Sequence, residues 1–198
     1  MPLSNYSLDQ FVSSQLSELT ECHTISVSER FPQSAFWVSN FTLNSIIGNP
    51  IKEHRRTLSF FFLRRAEAAF TEYERACQAL HAFVNAPSKQ PSVYFQALHH
   101  FEMTIAMVWQ AFDFILGVAK TKVFDKGDDS HYERLNKIYN TSRHFKPSDL
   151  SAGQFHAVRI DNDGIRIDKC MLSFSELEKI LIELGVIADD VSKGGSKS

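Results

Sequence analysis

The sequence predicts an all-α fold, an antiparallel helical bundle built on two long helices, with a small β-hairpin near the C-terminus. Three observations carry this. Apolar residues recur at steps of three and four through residues 51–85 and again through 92–120. Only a short proline-bearing loop separates the two stretches, as antiparallel helical hairpins require. One later segment, 156–169, switches to a period of two around Asp163-Gly164.

Residues 7–21 read as a first helix, with Ser7 as N-cap and Leu8, Phe11, Val12, Leu16 and Leu19 at helical spacing. From Cys22 to Pro50 the pattern blurs, and the expectation is loop with one short helix around Ser34 to Asn40. In the first long helix, Leu58, Phe62, Ala66, Ala69, Tyr73, Ala76, Leu80 and Val84 trace one stripe, and Ala86-Pro87 ends it. In the second, Tyr94, Leu98, Phe101, Ile105, Val108, Phe112, Ile115 and Ala119 alternate steps of four and three, a heptad seam. A third helix follows from Ser130 to Phe145, with Ser130 and Glu133 at capping-box spacing and Pro147 closing it. The hairpin pairs Val158 and Ile160 with Ile165 and Ile167, and Asp163-Gly164 is expected to supply positive φ at its turn. Ser173 or Ser175 caps a last helix whose inner face is Phe174, Leu177, Ile180, Leu181, Leu184 and Ile187. The chain thus divides into an N-terminal helix and irregular segment (1–50), the bundle (51–191) and a disordered tail (192–198).

Composition narrows the function classes. The 198 residues are 43% hydrophobic and 22% charged, ordinary for a globular domain with one substantial core. Lys plus Arg number 21 against 23 Asp plus Glu, so the strong basic excess of a dedicated polyanion binder is missing. Three scattered cysteines, Cys22, Cys77 and Cys170, fit reduced thiols better than a disulfide framework. The N-terminus lacks a basic start followed by an apolar run, and no apolar stretch approaches the ~20 residues that span a bilayer. These observations predict a cytoplasmic protein without a membrane partner.

Chemistry is best looked for in Tyr139-Asn-Thr-Ser-Arg-His144. At 100° per residue, Glu133, Asn136, Lys137, Asn140, Arg143 and His144 share one side of the third helix, and Asn140 and His144 are neighbours one turn apart. A cationic His144 beside Arg143 would hold a phosphate; a neutral one would serve as general base. The same pattern also describes the plain solvated face of an amphipathic helix.

Two long antiparallel helices, a third ending in Asn-x-x-x-His and a last helix after a short hairpin resemble the HEPN superfamily of helical domains over residues 51–187. Ribonucleases of that superfamily carry Arg, four to six residues, then His, often with Asn directly after the Arg. Asn140 and His144 match the second and last positions, while Tyr139 stands where the Arg would be. Arg134 lies too far from His144, and Lys137 fits the spacing without the planar fork of a guanidinium. The resemblance implies a bundle that dimerises with two motifs facing one another. It also implies His144 as acid/base, Asn140 as orienting group, and Arg143 or Lys137 as RNA-phosphate contact.

Two further groups stand out. His99 and Glu102 sit one turn apart on the second long helix, with Asp113 on the same side and Trp109 between, marking a polar pocket or a structural hydrogen-bonded pair. Lys52, His54, Arg55, Arg56, Arg64 and Arg65 form a basic run, either a phosphate contact or a solvated face with Arg64–Glu67 and Glu72–Arg75 pairs. No glycine-rich phosphate loop, GxSxG elbow, HExxH or second ligand cluster occurs, so neither cofactor nor metal is expected. Two functions remain in view. One is a non-catalytic or weakly active HEPN-like interaction protein, homodimeric through apolar surface on its long helices, with protein or RNA as partner. The other is a metal-independent endoribonuclease of toxin or defence type that uses His144.

Overall fold

A run of 33 residues free of glycine and proline, Glu53–Asn85, forms helix α2 of the protein, after α1 at Trp37–Ile47. Helix α3, Pro91–Ala119, turns back along it. Ring pairs mark an antiparallel contact down the whole hairpin: Phe61 with Phe114 at 5.7 Å, Tyr73 with Phe101 at 6.2 Å, Phe83 with Tyr94 at 5.7 Å. The seam residues Phe62, Ala66, Ala69, Tyr73, Ala76 and Leu80 of α2 are buried, as are Tyr94, Phe101, Ile105, Val108 and Phe112 of α3. At the connection, Lys89 Nζ donates to the carbonyls of Phe83 (3.1 Å) and Val84 (2.6 Å) and closes the end of α2. Pro91 opens α3, where a missing N–H costs nothing.

The computed structural model describes residues 9–10, 16–47, 53–119, 122–143 and 158–194. The remaining elements are α4 (His131–Arg143), a sheet of β1 (Arg159–Ile160), β2 (Gly164–Ile167) and β3 (Cys170–Ser173), and α5 (Phe174–Ser192). The predicted class holds: two long helices pack against each other, shorter helices join them, and a small antiparallel sheet lies near the C-terminus.

Four local expectations change. The hairpin is a three-stranded sheet in the order β1-β2-β3, because Cys170–Ser173 pairs with β2 before α5 begins. Its first turn does not use positive φ at Asp163 or Gly164. Asp168, at φ 49, takes that conformation in the second turn, where Ile167 pairs with Cys170. The helix expected at 7–21 is, in its described part, helical at residues 9–10 and a 3-10 turn at Leu16–Glu18, with Ser17 N and Oγ donating to the Asp9 carboxylate. The short helix expected at Ser34–Asn40 begins as a 3-10 turn and continues as α1 to Ile47.

Residues 16–47 share the core of the bundle. Leu16, Leu19, Val27, Phe31, Trp37 and Phe41 are buried in the same cluster as α2 and α5. Polar anchors hold this strap: Ile25 N donates to Glu178 (2.9 Å), Ser28 N to Glu74 (3.0 Å), and the backbone of Thr20 and Glu21 to Asn162. Glu178 is itself buried and also accepts from the Tyr73 hydroxyl at 2.7 Å, so its two partners offset the cost of burying a carboxylate.

Helix ends follow the sequence with one variation. Ser173 and Glu176 form a full capping box on α5. At α4, Ser130 Oγ accepts from Glu133 N (3.2 Å), but the Glu133 carboxylate turns to the backbone of Gly127 and Asp129, and Ser130 N donates to Asp128. α5 continues through the buried Ser192, the first residue of the segment expected as a disordered tail, and the part of that segment from residue 195 on lies outside the described residues.

Candidate functional site

Helix α4 runs antiparallel to α3. Tyr132 meets Phe112 edge-on at 5.4 Å, and Tyr139 lies 6.1 Å from Trp109. These inward rings, with buried Leu135 and Ile138, fix which side of α4 faces out. Lys137, Asn140 and Arg143 are exposed on the outer side. Asn140 Nδ2 donates to Asn136 Oδ1 at 2.9 Å, and the Arg143 guanidinium lies 5.4 Å from the centroid of the Tyr139 ring. Tyr139 is therefore a packed half-buried ring, with an indole beside it and a guanidinium over it. Arg134 points elsewhere, into ion pairs with Glu176 and Asp129 that tie the start of α4 to α5. His144, the expected acid/base, lies outside the described residues.

The polar residues predicted on α3 do not assemble into a pocket with one another. His99 and Asp113 are exposed, Glu102 is half-buried, and no hydrogen bond or ion pair joins the three among the described residues. The neighbouring imidazole does the pairing: His100 Nδ1 lies 2.6 Å from Glu72, which also binds Arg75 at 2.8 Å across one turn of α2. Helical phase is the sequence signal for this, since His100 and not His99 points toward α2.

Partial burial raises the Glu102 carboxyl above its ordinary value. An acid raised in the folded state stabilises the fold when protonated. That contribution is complete below the unfolded value and disappears as pH rises through the folded one. Glu102→Gln is therefore expected to raise the urea midpoint near about pH 7 and to lose that advantage toward about pH 4. An unchanged midpoint at neutral pH would contradict the burial of this charge.

The basic run on α2 resolves differently from its expected pairing. Glu72 and Arg75 form their pair, but Glu67 accepts from Val38 N at 2.7 Å, so Arg64 is left to lie over the Phe60 ring at 5.9 Å. Among the described residues Arg55, Arg56, Arg64 and Arg65 make no ion pair, whereas Arg75, Arg134, Arg159 and Arg166 each do. Two apolar grooves, of about 390 and 440 Å³, flank this part of α2. The first holds Leu58, Phe62, Ile115 and Ile187 with Arg55 at its edge; the second holds Phe41, Ile46, Phe60 and Phe61 with Arg56. Ile46 and Ile47, at 74% and 82% exposure, project beside the second groove. The run of basic residues was visible in the sequence; the grooves were not, because they form from four separate helices.

All three cysteines are free, and burial pushes the Cys77 thiol up to about 12. Among the described residues no group of three or more His, Cys, Asp or Glu side chains gathers as a metal site. No helix among them is long and apolar enough to cross a membrane.

Compared with protein-family models, with curated proteins and with solved structures, the chain matches none.

Proposed function

We propose that the chain is a non-catalytic helical interaction module of HEPN-like build that acts through a protein partner in a reducing, cytoplasmic setting. The observation that carries this reading is the packing of Tyr139. It stands where the HEPN ribonucleases have Arg, and its ring lies beside Trp109 and under Arg143. A phosphate clamp of the kind those enzymes use depends on a guanidinium held in a fixed fork geometry. Arg143 is exposed and rests on a ring, and Arg134 is engaged with two carboxylates. Three free thiols support the reducing compartment. Surface for a partner, a second copy of this chain included, is offered at Ile46, Ile47 and Phe61 rather than along the buried seam.

The endoribonuclease reading keeps one specific support. Lys137, Asn140 and Arg143 are all exposed on the outer side of α4, directly before residue 144. The test sets end-labelled single-stranded RNA with wild-type protein and with His144→Ala on one denaturing gel. Uncut RNA in both lanes is the expected result. Cleavage by wild type that disappears in His144→Ala would overturn the proposal and establish the ribonuclease.

A further inference from the structure

We infer that the two grooves beside the start of α2 form one docking site for an acidic amphipathic helix of a partner protein. This rests on the interaction-module reading and names the partner of that module. The geometry is that of a straddled helix. Residues 55, 58, 59 and 62 of α2 line one groove and residues 56, 57, 60 and 61 line the other, on opposite sides of the same two turns. A helix with its side chains is about 10 Å across, and positions i and i+7 of a helix are separated by about 10.5 Å. A partner helix crossing over α2 can therefore place two large apolar anchors, two turns apart, one in each groove.

Charge selects the sign of that helix. Arg55 and Arg56 each edge one groove, Arg64 lies over the Phe60 ring, and none of them meets a carboxylate among the described residues. The adjoining helix α1, WVSNFTLNSII, carries no charge that could neutralise them. Carboxylates flanking the apolar anchors of the partner would complete this edge and fix its orientation. RNA fits less well: Phe61 and Phe114 are stacked on each other with 14° between their planes, so one face of each ring is already used. A lipid surface would meet the projecting Ile46 and Ile47 but leave both grooves unfilled.

The test uses the full chain and a fluorescein-labelled helical peptide of about 18 residues with Leu at i, i+3 and i+7 and Glu on its other face, followed by anisotropy. A second peptide replaces every Glu by Lys. Single-stranded RNA and phosphatidylserine vesicles serve as competitors. The acidic peptide is expected to bind, the basic one not, and the double variant Arg55→Glu/Arg56→Glu to weaken binding by about tenfold or more. Both arginines are exposed and form no ion pair among the described residues, so an unchanged circular-dichroism melt will show that the variant is folded. The inference is overturned by absence of acidic-peptide binding at about 100 μM, by equal binding of the basic peptide, or by unchanged affinity in the double variant. Displacement of the peptide by RNA or vesicles at lower concentration would reassign the site to that ligand. A wild-type dimer that the double variant converts to monomer would assign it to a second copy. Cleavage in the RNA gel would sink the module reading; failure of the peptide alone would sink only this assignment.

Discussion

Replacing Trp37 by alanine is expected to lower the free energy of unfolding by about 3–5 kcal/mol, the range for removing a large aromatic side chain from a close-packed site. Trp37 is fully buried and packs edge-on against Phe31 at 6.2 Å and Phe70 at 5.1 Å. It therefore joins the irregular N-terminal strap to α2. Its Nε1 also donates to Asp189 on α5 at 3.2 Å, so the substitution opens a cavity and removes a polar tie together. Urea unfolding will read the effect. Phe36→Ala, next in sequence but 59% exposed, is the control expected to change little. A Trp37 variant as stable as that control would mean the strap is not part of the core.

The second large effect is expected at Gly164. A Cβ there would stand 2.2 Å from the Leu172 carbonyl oxygen and 2.7 Å from Ser173 Cα, both backbone atoms of the adjacent strand. Neither can step aside without parting β2 from β3. Gly164→Ala should cost about 3 kcal/mol, at the top of the usual range for overpacking. Circular dichroism melts of the variant will measure it. Glycine is required here for close approach of two backbones, since positive φ in this sheet falls at Asp168.

The parts of the fold that were legible from sequence are those whose information is local. The alternating steps of α3, the proline at its first position and the Ser173–Glu176 cap all encode structure within a few residues of themselves. The third strand escaped notice because Cys170–Ser173 runs straight into α5, and because its turn relies on Asp168, a residue that enters the left-handed region without announcing it as glycine would. Residues 22–36 blurred for another reason. Their shape depends on Glu178, Glu74 and Asp189, which lie far along the chain, and no periodicity inside the segment reports on that.

The candidate site divides the same way. Sequence placed Lys137, Asn140 and Arg143 on one exposed face of α4 and found the basic run of α2. It could not choose partners. Glu67 caps the start of α1 through Val38 N instead of pairing with Arg64, and Glu72 takes His100 from the facing helix as well as Arg75 from its own. Each choice depends on which element arrives opposite, a tertiary fact. The arginines that pair with no described carboxylate, and their grooves, are the remainder after those choices have been made.

The contacts of the strap also constrain the order in which the molecule can be completed. The α2–α3 hairpin closes through neighbours in sequence and can form as soon as both helices have been synthesised. The bond from Ile25 N to Glu178 joins residues 153 apart, and that from Trp37 Nε1 to Asp189 joins residues 152 apart. On a ribosome residues 25–37 thus leave the tunnel well before the segment that fixes their place. Until α5 has left the tunnel, Trp37 and Phe31 have Phe70 of α2 beside them but lack Asp189 and Gly185, and a chaperone that holds apolar segments would find its target there.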